Sequence, residues 1–180
     1  MGNTDERIGE IFLAEEELAA RVAELGAEIA RDYEGLEPVL IASLKASIPF
    51  VADLSRNLPI HHALDFVQLA GYGPAEHESH DGIRFLKDVT IEVEGRHVLL
   101  VDEVVDTGLT LNYLSKTLTL RHPASLHAVT LFDRPYRRLV EDIPVRYIGF
   151  TIPDAFFVGY GFDLEERWRN LPDLRQLREI

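Results

Sequence analysis

Leu18, Val22, Leu25 and Ile29 fall at i, i+4, i+7 and i+11 with Glu and Arg between them, and this spacing predicts an amphipathic helix over 14–31. Gly35 and Pro38 then break the chain. The run Pro-Val-Leu-Ile-Ala-Ser that follows has no polar alternation, as a strand buried on both faces requires. A helix is expected near 48–57 and a strand over 63–70. A second apolar run, RHVLLV at 96–101, ends in two acids, and Leu111, Leu114 and Leu118 mark one face of a helix over 109–121. A third apolar run covers 125–132. After Pro144 come strand-like VRYIGFTI and FFVGY, then a short polar helix near 163–170. Apolar strands alternating with helices imply an α/β fold with a central parallel sheet flanked by helices. In such sheets ligands sit at the carboxyl ends of the strands.

Composition narrows the chemistry. With 180 residues, 46% of them hydrophobic, the chain suits one compact domain that makes a core without disulfides or structural zinc. Cysteine is absent, which excludes thiol nucleophiles, iron–sulfur clusters and Cys-ligated metals. Eighteen Lys and Arg against 31 Asp and Glu leave a net charge of −13, so the field repels nucleic-acid backbones and anionic membranes. An anionic ligand must have its charge met locally. No apolar run approaches the roughly 18 residues of a membrane span, and the opening MGNTDERIGEIFLAEEE is too acidic for a signal or transit peptide. The expectation is a cytoplasmic protein with neither a membrane nor a nucleic-acid partner.

The most informative stretch is VLLVDEVVDTGLTL, residues 98–111: a buried strand, two acids, then Asp-Thr-Gly-Leu-Thr opening a helix. Unpaired N–H groups at a helix N-terminus favour a phosphate, Thr107 and Thr110 add hydroxyl donors, and Gly108 permits close backbone approach. Asp102 and Glu103 beside such a cradle suit a sugar diol or a Mg²⁺-linked polyphosphate. The plainer reading is that Asp106 or Thr107 caps a helix and the two acids are solvated. No Gly-Lys-Ser/Thr and no Gly-x-Gly-x-x-Gly is present, which sets aside Walker loops and dinucleotide folds.

The full run resembles the phosphoribosyl-pyrophosphate (PRPP) motif of type I phosphoribosyltransferases. Three further segments narrow the resemblance to hypoxanthine-guanine phosphoribosyltransferases: SLKASIPFVADL resembles the pyrophosphate loop, LFDRPYRR the purine-contact strand end, and IPDAFFVGYGFDLEERWRNLP the C-terminal signature. The segments come in the family's order, and the resemblance runs from about Leu36 to Leu174. The resemblance implies a single phosphoribosyltransferase domain over 1–180, with a core at about 36–150 and a small hood built from 1–35 and 151–180. It also implies Mg²⁺-dependent transfer of ribose 5-phosphate from PRPP to N9 of a 6-oxopurine, giving IMP or GMP, in a dimer or tetramer.

In that scheme Asp106 is the general base near purine N7, and Thr107, Gly108, Leu109 and Thr110 cradle the 5′-phosphate. Asp102 and Glu103 hold the ribose hydroxyls and Mg²⁺. Lys45, after a non-proline cis peptide in the family, and Arg169 face pyrophosphate. Arg134, Phe156 and Phe157 contact the purine, and Asp163 closes the same site and carries the second Mg²⁺. The Gly- and Pro-rich segment 71–82 matches the family's closing loop, with Tyr72 its tyrosine. The chain departs from the pattern in four places: Ala46 for Gly, Gly71 for Ser, the order Asp102-Glu103 for Glu-Asp, and Arg134 for Lys. A non-catalytic PRPP-responsive regulator on the same fold is the alternative, and an anion-binding module sharing only the cradle is a third reading. His77 and His80 read as a solvated pair, and the basic cluster Arg134, Arg137 and Arg138, too short for a nucleic-acid stripe, as solvated loop residues.

Overall fold

The computed structural model describes residues 6–70 and 83–178. Its strands are β1 (Ile8–Leu13), β2 (Val39–Ser43), β3 (Ala63–Ala70), β4 (Arg84–Lys87), β5 (His97–Val105), β6 (Ser125–Asp133), β7 (Val145–Thr151), β8 (Phe157–Val158) and β9 (Leu174–Leu177). Three helices accompany them, α1 (Glu15–Asp32), α2 (Ile48–Arg56) and α3 (Leu109–Thr119). Six strands form one sheet in the order β4-β3-β2-β5-β6-β7, parallel except at β4. This is the α/β architecture with a mostly parallel central sheet expected from the sequence.

The apolar runs are apolar because both faces of the sheet are covered. Leu40 and Ala42 of β2, with Leu99 and Val101 of β5, face Leu18, Val22, Leu25 and Ile29 of α1 and Phe50 and Leu54 of α2. Val39, Ile41, Val98 and Leu100, alternating with them, pack with Leu111, Leu114 and Leu118 of α3. Helix α1 therefore covers the main sheet. Of the N-terminal segment, β1 is the part that joins the small antiparallel sheet β1-β9-β8. The connection between β8 and β9 reaches the carboxyl end of β6, where Phe162 meets Phe132 with ring centroids 5.4 Å apart.

Two expectations are corrected. Residues 163–170 form no helix, because Glu165, Glu166 and Trp168 take φ of 54°, 63° and 76°, incompatible with a right-handed helix. Strand β5 also does not stop at the two acids but runs through them to Val105, carried by its ladder to β6.

Buried Asp65 ties β3 to the segment after β4. It accepts from the N–H groups of Phe66 (2.7 Å), Thr90 (2.5 Å) and Ile91 (3.0 Å) and from Lys87 Nζ (3.1 Å). Burial alone would raise its pKa, but the N–H donors of Thr90, Ile91 and Phe66 and the Lys87 ammonium outweigh it and hold the carboxyl well below the usual range. A depressed folded-state pKa means stability fully present above the unfolded value of about 3.9 and lost as pH falls through the folded one. Asp65→Asn is therefore expected to cost about 2–3 kcal/mol at pH 7, from charged hydrogen bonds lost. In thermal melts its deficit against the parent protein should shrink below about pH 4; a deficit independent of pH would show that the charge contributes nothing.

Candidate active site

Chain direction reverses at the centre of the sheet. From β2 it proceeds outward through β3 to β4, then returns to pair β5 with the other side of β2 and proceeds outward through β6 to β7. The loops leaving β2 and β5 thus diverge from adjacent strands, and a crevice at such a switch point is where open α/β sheets bind ligands. The loop after β2 holds Leu44, Lys45 and Ala46, with the Leu44–Lys45 peptide cis. The loop after β5 holds Asp106, Thr107 and Gly108.

Gly108 caps α3 with φ of 81°, a left-handed conformation that favours glycine. The Thr107 hydroxyl accepts weakly from Leu109 N–H at 3.4 Å. Among the described residues no acceptor meets the N–H groups of Thr110 and Leu111, while Asn112 already donates to Gly108 (2.9 Å). The cap reading is thus met only in part, and the first turn of α3 keeps donors available for an anion.

Asp102 and Glu103 lie against the cradle near the end of β5. Burial pushes both carboxyls up, Asp102 well above the usual carboxylate range, and the Glu103 charge raises Asp102 further. For Glu103 a backbone hydrogen bond, Asp102 and the Arg169 charge partly offset the burial, while Asp163 adds to it. Two desolvated carboxyls side by side gain from a diol or a divalent cation. Among the described residues no three His, Asp or Glu side chains gather into a ready metal cage.

Across the crevice, residues 161–169 from the small sheet's connection bring a second set of charges. Arg169 pairs with Asp163 (2.9 Å) and Glu166 (3.3 Å), and Glu166 pairs with Lys45 (3.0 Å). Lys45 and Arg169, distant in sequence, therefore share one carboxylate. Asp163 stands with these cations, its other oxygen accepting from Glu166 N–H (2.9 Å). Glu166 is a member of this cluster that sequence reasoning missed; its spacing of three from Asp163 and Arg169 was the available signal.

At the end of β6, Arg134 is buried and Phe156 is 75% exposed, whereas Phe157 is core, its ring 5.0 Å from that of Phe12. Arg137 and Arg138, expected to be solvated, both pair with acids, Arg138 largely buried and Arg137 with 42% of its side chain still exposed. Arg138 pairs with Asp133 and donates from Nε to the Asp106 carbonyl (3.1 Å), bracing the backbone at Asp106. Arg137 pairs with the Asp106 carboxylate itself (3.3 Å). Asp106 lies 31 residues before Arg137, so no local pattern shows that pairing, whereas Asp133 is five residues before Arg138. Tyr72, His77, His80 and the segment 71–82 lie outside the described residues.

These elements define an α/β protein with a candidate anion cradle at the switch point of its sheet and two clusters of paired charges beside it. A family profile, "Phosphoribosyl transferase domain", matches residues 9–166, and the chain belongs to that family. A hypoxanthine-guanine phosphoribosyltransferase of Bacillus subtilis is 39% identical over 171 residues, 95% of this chain and 94% of that one. A hypoxanthine phosphoribosyltransferase of Salmonella typhimurium is 42% identical over 165 residues, 91% of this chain and 92% of its own. The crystal structure of a hypoxanthine-guanine phosphoribosyltransferase from Bacillus anthracis aligns with TM-score 0.88 at 38% identity, covering 96% of this chain and 99% of that one. No helix among the described residues is long and apolar enough to cross a membrane.

Proposed function

We propose that this protein is a purine-salvage enzyme, transferring ribose 5-phosphate from PRPP to N9 of hypoxanthine or guanine with release of pyrophosphate. One observation carries the substrate class. Among the described residues Asp106 Oδ1 is a buried acceptor without a donor, and Arg134 Nε is a buried donor without an acceptor. A 6-oxopurine with its proton on N7 presents one donor and one acceptor side by side, N7–H and O6, which complements that pair. Adenine carries a donor at position 6, so Arg134 would face a donor and remain unpaired.

The chain's residues then divide the work. N9 attacks C1′ as the C1′–O bond breaks, and pyrophosphate departs with the electron pair. The N7 proton passes to Asp106 Oδ1, which leaves the product base neutral. Thr107, Gly108, Leu109 and Thr110 hold the 5′-phosphate through backbone N–H and hydroxyl donors. Lys45 and Arg169 receive the charge of the leaving group, exchanging Glu166 for pyrophosphate, and Phe156 supplies an exposed ring for stacking. Tyr72 belongs to the same scheme through the family pattern alone.

The donor set fits Mg²⁺: Asp102 and Glu103, with Asp163 on the pyrophosphate side, supply too few ligands for an all-protein cage but suit an ion completed by substrate oxygens. When bound, Mg²⁺ would neutralise developing charge on pyrophosphate. The cytoplasm is the expected compartment and a dimer or tetramer the expected assembly.

Purified protein with PRPP and Mg²⁺ should turn over hypoxanthine or guanine and leave adenine unchanged in a spectrophotometric assay. PRPP binding without turnover of any base would favour the regulator instead. Arg134→Lys replaces a planar fork by a point charge. It is expected to shift the ranking of hypoxanthine, guanine and xanthine by the value of one charged hydrogen bond, on the order of 1.5–3 kcal/mol. An equal change for all three would mean that Arg134 does not read position 6.

A further inference from the structure

Asp106 and Arg134 do not stand alone. The turn Pro135–Arg137 is 3₁₀, closed by Arg137 N–H on the Arg134 carbonyl at 3.2 Å, and in such a turn positions i and i+3 eclipse. Arg134 and Arg137 are therefore presented on one side. Arg137 Nη1 lies 3.3 Å from Asp106 Oδ2, and Arg134 Nη1 lies 3.6 Å from the same oxygen. Asp154, from the segment after β7, accepts from Arg134 Nη2 at 2.7 Å and stands 3.8 Å from Arg137 Nε. The four side chains close a ring of alternating charge with no net charge.

The ring has an inner and an outer pair. Arg134 and Asp106 are 9% and 32% exposed at their side chains, and Arg137 and Asp154 are 42% and 61% exposed. Only the inner pair carries a buried unpaired atom, Asp106 Oδ1 and Arg134 Nε. A carboxylate can rotate about its last torsion and a guanidinium can swing on a long stem, so neither group keeps such an atom aimed without a partner at its other end. We propose that Arg137 and Asp154 are positioning residues for base recognition. Arg137 occupies Asp106 Oδ2 so that Oδ1 is left for the N7 proton, and Asp154 occupies Arg134 Nη2 so that Nε is left for the 6-oxo group.

This inference rests on the reading of Asp106 and Arg134 as purine contacts, and the experiment separates the two. Arg137→Gln, Arg137→Lys and Asp154→Asn would be compared with Asp106→Asn and Arg134→Ala. Each would be assayed for kcat and KM with hypoxanthine and guanine, and for PRPP–Mg²⁺ affinity and melting temperature. Arg137→Gln should lower kcat about tenfold or more, the scale of one charged hydrogen bond, with PRPP affinity within about twofold, and Arg137→Lys should recover part of the loss. Asp154→Asn should act chiefly on the KM of the base and change the hypoxanthine-to-guanine ratio. The double variant should lose less than the product of the single losses, because opening a ring once removes most of its constraint.

Full activity in Arg137→Gln and Asp154→Asn, with Asp106→Asn and Arg134→Ala impaired, overturns the positioning role and leaves the purine reading intact. Full activity in all four overturns the purine reading as well. Losses that track melting temperature and PRPP affinity equally, with no rescue by lysine, assign the ring to folding and also overturn the proposal.

Discussion

Asp106→Asn is expected to lower kcat by about 10²–10⁴-fold, the usual contribution of a positioned general base, while PRPP affinity and the melting temperature hardly move. Its side chain reaches the protein through Arg137 at 3.3 Å and Arg134 at 3.6 Å and is about one-third exposed, so the pairing is partly screened. The loss of such a pair is within about 1 kcal/mol. The donors proposed for the 5′-phosphate are backbone N–H groups at the start of α3 and do not depend on the Asp106 charge. An amide fills the same space but cannot take the N7 proton. Steady-state kinetics with calorimetric titration of PRPP–Mg²⁺ checks this: a kcat within twofold of the parent protein would remove Asp106 as the base.

Gly161→Ala is expected to damage stability and turnover together. Gly161 holds φ of 101°, and a Cβ there would lie 1.9 Å from the Ala46 carbonyl oxygen, a backbone atom that cannot step aside cheaply. Its own N–H and carbonyl are both engaged, with the Arg169 carbonyl (3.0 Å) and Arg169 Nη1 (2.9 Å). One added methyl thus pushes the Lys45 loop and the Arg169 segment apart. The cost combines strained backbone, about 1–3 kcal/mol, with overpacking of similar size. Denaturant unfolding should show about 3 kcal/mol or more lost, and the KM for PRPP should rise. Gly35→Ala is the control: φ is 74° there, but no atom lies within 4 Å, so only the backbone cost applies. Equal losses in the two variants would mean that the contact with Ala46 does not matter.

The same contrast between local and distant partners explains how much was legible beforehand. The three-layer core could be read from residues because burial on both faces makes β2, β5 and β6 apolar throughout, and covering helices repeat at 3.6. The short strands β1, β4 and β9 could not. They are only partly buried, and β1 finds its partner β9 at the other end of the chain, Ile8 opposite Leu177, so no local pattern marks them. The polar stretch 163–170 looked helical because its composition is helix-compatible, yet three residues of positive φ fold it into turns.

For the candidate site, types and order of residues were enough to propose Asp102, Glu103, Asp106–Thr110, Lys45, Arg134 and Arg169, because an anion cradle of the proposed kind is built from contiguous backbone and carries its signature in one stretch. Charge pairing is different. Whether Arg137 is solvated or holds Asp106, and whether Glu166 is idle or joins Lys45 to Arg169, depends on which side chains arrive from elsewhere in the chain. The sequence by itself determined the α/β architecture and the chemistry available at the ends of β2, β5 and β6, since hydrophobic period and backbone-borne motifs are local. Only the tertiary structure decided the closed ring of Asp106, Arg137, Asp154 and Arg134 and the seat of Gly161 against Ala46, because those contacts join segments that the fold alone brings within a few ångströms.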